Sequence, residues 1–166
     1  LDQEDELHDA VHVHSARDEG DVIFGKRLRE LNERKDGFRL LGTRCSTCAS
    51  VFFPREDAHC RNPDCPGGEL EEVPLSRRGR VWSYTDSRYR PPSPYVTDPE
   101  LPWEPYTLIA VELAAERIVV LGQAVPGVSV ADLTVGAEVE VVPGVLHEDG
   151  ETVWTTWRWR PTGVTA

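Results

Sequence analysis

The chain has 166 residues, 39% of them hydrophobic, a net charge of −11, thirteen glycines and thirteen prolines. That length holds one domain or two small ones, and the lack of any long apolar run excludes a membrane-spanning helix. So many glycines and prolines favour turns and short strands over a helical bundle.

The charge is unevenly placed. Residues 1–21 hold eight acids and one arginine, a net of −7, which leaves only −4 for everything after them. The segment 1–20 therefore reads as a solvated, flexible acidic tail, with a contact arm for a basic partner as the sharper alternative. His8, His12 and His14 lie among those acids, and an extended, solvated segment is expected there, with a metal role as the alternative. The chain begins at Leu1 and contains no methionine, which fits a piece of a longer polypeptide. Over 21–37 the pattern changes. Asp18 or Asp21 can cap a helix, Ile23, Phe24, Leu28 and Leu31 recur at helical spacing, basic residues follow, and Gly37 is a natural stop. An amphipathic helix over about residues 21–35 is expected, lying on the rest of the domain or on another subunit.

The segment 38–75 is organised by the four cysteines of the sequence, Cys45, Cys48, Cys60 and Cys65. Two close pairs joined by eleven residues match a tetrahedral zinc site, each pair forming a tight turn that aims two sulfurs at one metal. Two disulfides would need an oxidising compartment, and no signal peptide is visible, so a cytoplasmic location is expected. A redox Cys-x-x-Cys pair usually opens a helix, whereas this one follows the strand-like Phe38-Arg39-Leu40-Leu41-Gly42. With four sulfurs the single zinc has no open position and is structural. His59 stands beside Cys60 and could serve as a ligand, but four cysteines already fill the shell, so a surface histidine is expected. The second pair is spaced by four residues rather than two, with Pro63 stiffening the turn. Strands are expected at Phe38–Arg44, Val51–Phe53 and Glu69–Pro74. So small a ribbon draws much of its folding energy from the metal.

From 76 to 161 the signal is all β. Arg80–Thr85, the hairpin pair Tyr106–Leu113 and Arg117–Val125, Glu138–Val142 and Val153–Arg160 make five strands with no strong helix between them. The economical solution is a small closed barrel of the OB type, followed by a short tail over 162–166. The fold class is thus mainly β: an N-terminal helix, a rubredoxin-like zinc ribbon and a C-terminal OB barrel.

Two features of the barrel region are candidates for binding. Residues 76–90 carry Arg77, Arg78, Arg80, Arg88 and Arg90 against Asp86 alone, a net of +4 on an acidic chain. Arginine matches phosphate oxygens bidentately, and Trp82, Tyr84 and Tyr89 can stack on a base. The plainer alternative is a solvated strand edge or a set of salt bridges. The loop Pro91–Pro105 holds six prolines with Tyr95 and Trp103. Its stiffness lowers the entropy lost on docking to a partner, and its aromatics can equally tuck onto the barrel. No catalytic constellation is present: no cysteine remains after the metal, neither Gly-x-Ser-x-Gly nor His-Glu-x-x-His occurs, and His147 lies in a loop-like, exposed stretch. A small enzyme in its own right is therefore the weakest reading.

The order of motifs is more specific than any one of them. The knuckle pair runs into the barrel through Leu75-Ser76-Arg77-Arg78-Gly79-Arg80-Val81-Trp82-Ser83-Tyr84-Thr85. It continues through Pro105-Tyr106, Ile109–Leu113, Val120-Leu121-Gly122 and Val135–Val141. Over about residues 20–161 the chain resembles the acyl-CoA-associated rubredoxin-like zinc-ribbon/OB-fold family. It departs in the wider second knuckle and in the turn Ala114-Ala115-Glu116, which lacks the usual glycine.

The resemblance implies a non-catalytic accessory subunit that completes a thiolase-like, sterol-carrier-type enzyme in a hetero-oligomer. The partner would be a thiolase or a retro-aldolase such as those of actinobacterial steroid side-chain degradation. A fused or associated hot-dog-fold hydratase would also fit. It further implies CoA contact through Arg77, Arg78, Arg80 and Tyr84, and partner contact through Tyr95 and Trp103. The competing class is a single-stranded nucleic-acid module with Trp154, Trp157 and Trp159 as a stacking surface, which the acidic net charge disfavours.

Overall fold

The computed structural model describes residues 38–92, 98–149 and 152–163. The helix expected over 21–37 and the acidic tail lie outside them. The described chain is all β apart from one 3-10 turn.

The ribbon is a three-stranded antiparallel sheet. Strand β1 (Leu41–Cys45) is central, flanked by β2 (Val51–Phe52) and β3 (Leu70–Pro74). The register Thr43↔Phe52 and Cys45↔Leu70 places the first knuckle at the far end of the sheet from the barrel. At the near end Phe38, Leu40 and Leu75 belong to the same buried cluster as the barrel core, which Val51, paired with Arg44, also joins. Leu75 donates its backbone N–H to Leu40 (2.8 Å), and Phe53 meets Trp157 edge-on at 5.4 Å. The Glu116 carboxylate, in the next-but-one turn, accepts from both the backbone N–H and the hydroxyl of Ser76, at 2.7 and 2.8 Å. The joint between ribbon and barrel is therefore packed and hydrogen-bonded.

The barrel closes in the order β4 (Arg78–Ser87), β5 (Tyr106–Leu113), β6 (Ile118–Ala124), β8 (Thr152–Pro161), β7 (Glu138–Asp149). This is the five-stranded OB arrangement, closed by the short parallel pairing Gln123↔Arg158 and Ala124↔Trp159. Period-two alternation sends Ile109, Val111, Leu113, Val120, Val139 and Val141 inward, with Trp159 fully buried among them. The indoles of Trp157 and Trp159 crowd Gly122: a Cβ there would lie 2.5 Å from the Trp157 indole nitrogen and 2.9 Å from that of Trp159. The 3-10 turn Val130–Asp132 carries Leu133 into the core at one end.

One strand and one turn differ most from the expectation. β7 does not stop at Val142 but runs through Pro143 and Gly144 to Asp149, paired with β8 along its length. It leaves β4 after Glu140, and a strand with one open edge tolerates a proline. His147 accordingly sits in β7, half-buried, with its ring 5.2 Å from Trp154, and not in an exposed loop. The turn after β5 solves its missing glycine by placing Arg117 at φ 59°, in the left-handed region.

Candidate metal centre

Each knuckle is a hydrogen-bonded turn. In the first, the Cys45 carbonyl accepts from Ala49 (2.9 Å) and the Cys45 N–H donates to Ser50 (3.0 Å), with Ala49 at φ 58°. In the second, the Asn62 carbonyl accepts from Cys65 (3.1 Å), and its side-chain oxygen accepts from Asp64 (3.1 Å). This double use of Asn62 shapes the wider four-residue turn. Gly68 lies against the first knuckle, where a Cβ would approach the Cys45 sulfur to 2.9 Å.

The turns bring the four predicted cysteines together. All four sulfurs lie within 4.8 Å of one another, with Cys48–Cys60 at 3.5 Å and Cys45–Cys65 at 3.9 Å. A disulfide needs about 2.05 Å, and all four are free thiols. A tetrahedron of thiolates about 2.3 Å from a zinc ion has edges of about 3.8 Å, so the donor set fits a tetrahedral metal. His59 is exposed and outside the group.

The thiols themselves ask for a cation. The Ser50 hydroxyl, helped by its backbone N–H, lowers Cys48 to about 6. At Cys60 the Asn62 backbone N–H pulls down, but burial and the neighbouring sulfurs outweigh it and push the thiol up to about 12. Cys65 is raised similarly, its Gly67 hydrogen bond outweighed by burial and by Cys48 and Cys45. Four thiolates this close are not sustained without a divalent ion to neutralise them.

The connector between the knuckles is held by a residue that the sequence did not single out. Glu56 is buried, its backbone N–H donates to the Thr43 hydroxyl (3.0 Å), and its carboxylate accepts from Ala58 (3.1 Å) and pairs with Arg61. The Ala58 hydrogen bond first, and Arg61 with it, holds that carboxyl below the usual glutamate range despite burial. An acid in a polar loop carries no sequence signal of burial.

The arginine strip is drawn into cross-strand pairs. Arg78 reaches Glu138 (3.3 Å), Arg77 lies 3.9 Å from Glu140, and Arg80 donates to the Gly136 carbonyl (2.9 Å). Arg88 pairs with Asp86, and Arg90 donates to the Asp98 and Leu101 carbonyls while lying 5.9 Å over Trp103. Tyr84 pairs with Ile109 and packs on the core, so it lies on the opposite face of β4 from Arg78 and Arg80. Trp103 is half-buried against Tyr106, with ring centroids 5.5 Å apart; Tyr95 lies outside the described residues. The three tryptophans of β8 form no common platform: Trp159 is in the core, Trp157 meets Phe53 and donates to the Leu121 carbonyl (3.2 Å), and Trp154 lies tilted against the His147 ring.

An exposed apolar row missed by the sequence crosses the outer face of the barrel. Trp82, the extra residue of a bulge in β4, is 61% exposed. The row passes through Ala110 of β5 to its partner Leu121 of β6 (57% exposed), with Val119 beside it. Neither β5 nor β6 contains a lysine or arginine.

Comparison with known proteins agrees with this architecture. Residues 35–71 match the ChsH2 rubredoxin-like zinc ribbon domain. A DUF35 domain-containing scaffold protein of Methanocaldococcus jannaschii is 31% identical over 126 residues, 75% of this chain and 81% of that one. The chain belongs to the DUF35 zinc-ribbon/OB family. The solved Ltp2-ChsH2(DUF35) aldolase matches with a TM-score of 0.51 and 26% identity, covering 74% of this DUF35 chain and 84% of that one. The benzoylsuccinyl-CoA thiolase subunit BbsA of Thauera aromatica is 46% identical over 48 residues, 29% of this chain and 31% of that protein. No helix among the described residues is long and apolar enough to cross a membrane.

Proposed function

We propose that this chain is a non-catalytic accessory subunit of a thiolase-like enzyme acting on acyl-CoA thioesters by thiolysis or retro-aldol cleavage. The observation that carries the reading is the correspondence of ribbon and barrel together with the solved Ltp2-ChsH2(DUF35) aldolase. The BbsA likeness, to a subunit of a thiolase, points the same way. In this reading the four cysteines hold one structural zinc, which supplies folding energy and no chemistry. The docking face is the Trp82–Leu121 row, an apolar strip that a protein partner would remove from water. Single-stranded nucleic acid is disfavoured by the net charge of −11 and by the pairing of the β4 arginines that flank this face with Glu138 and the Gly136 carbonyl. CoA contact through Arg77, Arg78, Arg80 and Tyr84 is the finer part of the reading. It requires the arginines to exchange their present acceptors for phosphate and Tyr84 to act from the inner side of its strand.

Affinity capture of the chain from its native host, read by mass spectrometry, tests the reading. A near-stoichiometric thiolase-like protein is expected, and a hot-dog-fold hydratase would be detected in the same experiment. Leu121→Glu, at an exposed side chain, should leave the fold intact and remove the partner. Capture of nucleic acid in place of any thiolase would overturn it.

A further inference from the structure

The wide second knuckle raises a question that the ligands alone do not answer: what keeps it in register with the first. Ser50 and Asn62, neither of them a ligand, stand between the two. The Ser50 hydroxyl is 3.2 Å from the Cys48 sulfur and 3.4 Å from the Asn62 amide nitrogen. The Ser50 carbonyl accepts from Cys45 at 3.0 Å. Asn62 in turn accepts from Asp64 through its side chain and from Cys65 through its carbonyl, both at 3.1 Å. An unbroken chain of hydrogen bonds thus runs from Cys45 and Cys48 through Ser50 and Asn62 to Cys65.

We propose that Ser50 and Asn62 are a coupled pair of positioning residues that lock the two knuckles together and set the metal affinity of the four-cysteine site. A metal-bound thiolate has no proton, so the Ser50 hydroxyl must turn to donate to the Cys48 sulfur. Its oxygen then faces the Asn62 amide as an acceptor, so both contacts are satisfied by one hydroxyl orientation. A hydrogen bond to a ligand both aims it and draws charge from it, and outer-shell partners of this kind change metal affinity about 10–100-fold. The inference rests on the metal site alone, so it stands or falls independently of which enzyme the chain accompanies.

The test uses the full chain loaded with zinc, titrated against a chromophoric chelator. Ser50→Ala is expected to weaken zinc binding by about 10-fold or more, and Ser50→Thr to restore it to within a few-fold. Asn62→Ala should weaken it similarly, and the double variant no further than the weaker single one, as for a coupled pair. In the cobalt-substituted protein, Ser50→Ala should also shift the sulfur-to-cobalt charge-transfer band, which a purely steric role would leave in place. Wild-type affinity in Ser50→Ala, a loss that Ser50→Thr does not recover, or strictly additive losses in the double variant would each overturn the proposal. Should Asn62→Ala fail to fold, the Ser50 pair and the cobalt spectrum still decide.

Discussion

Among the described residues between Cys45 and Glu69, the buried side chains are Cys45, Val51 and Glu56, and Val51 already belongs to the barrel's cluster. The barrel buries Val81, Ile109, Val111, Leu113, Val120, Ala124, Leu133, Val139, Val141 and Trp159. The ribbon tip is thus held by sulfurs and polar contacts, such as Arg55 to Glu72 at 2.8 Å and Glu56 to Arg61, with almost no apolar surface of its own. The barrel is held by packing. The difference teaches that one chain can join two stabilising mechanisms at a shared base, where Phe38, Leu40 and Leu75 lie under the same core. Metal chemistry at the tip and hydrophobic burial in the barrel should then be separable by experiment.

Removal of the metal is the largest test. Structural zinc in small ribbons contributes on the order of 10 kcal/mol, far beyond what this tip buries. Chelation, or Cys48→Ser, should abolish amide protection from Cys45 to Leu70 while residues of β5 and β6 stay protected in hydrogen exchange. Collapse of protection throughout would show that the barrel depends on the tip. The reverse experiment is Trp159→Ala. It removes the largest fully buried side chain and should cost about 3–5 kcal/mol in global unfolding by urea, with the metal affinity of the folded protein unchanged.

The same division explains what was legible in the sequence. The four cysteines announce themselves by spacing, and Tyr106–Leu113 and Arg117–Val125 stand out as a pair of hairpin strands, although which of their side chains face the core shows only in the fold. What could not be read depends on the third dimension. Arg78 and Arg80 look like a phosphate strip until the register sets Glu138 and Glu140 beside them. The bulge that turns Trp82 outward leaves no mark on the alternation, and Pro143-Gly144 reads as an end because a proline's tolerance depends on whether its strand edge is open. Glu56, Ser50 and Asn62 are ordinary loop residues in sequence. Only the folding of the connector over β1 gives them partners.

Two residues sharpen the comparison from the side of strain. Ala49 in the tip and Arg117 in the barrel both hold positive φ, a conformation costing a non-glycine residue about 1–2 kcal/mol, part of which glycine returns as unfolded-state entropy. Each glycine substitution should therefore stabilise its own region by about 0.5–1 kcal/mol. Arg117→Gly should raise the global urea midpoint. Ala49→Gly should leave that midpoint in place and slow hydrogen exchange in the metal-bound tip. A shift of the global midpoint by Ala49→Gly would mean that the tip and the barrel unfold as one unit.

The smallest effect concerns the barrel's lower plug and acid. Asp132 accepts from both the hydroxyl and the backbone N–H of Ser129, at 2.7 and 2.9 Å, in a capping box that presents Leu133 to the core. The Ser129 hydroxyl first, and its N–H second, hold the carboxyl below the usual aspartate range. A group whose folded pKa is depressed stabilises the fold fully above its unfolded value, and that contribution is lost as pH falls through the folded value. The term is therefore present at neutral pH and disappears on acidification below about pH 4, where an unfolded aspartate titrates. Asp132→Asn cannot titrate, so its urea midpoint, followed by tryptophan fluorescence, should fall less steeply than the wild type's between neutral pH and pH 3. Parallel acid limbs would remove Asp132 from the account and leave Leu133 held by packing alone.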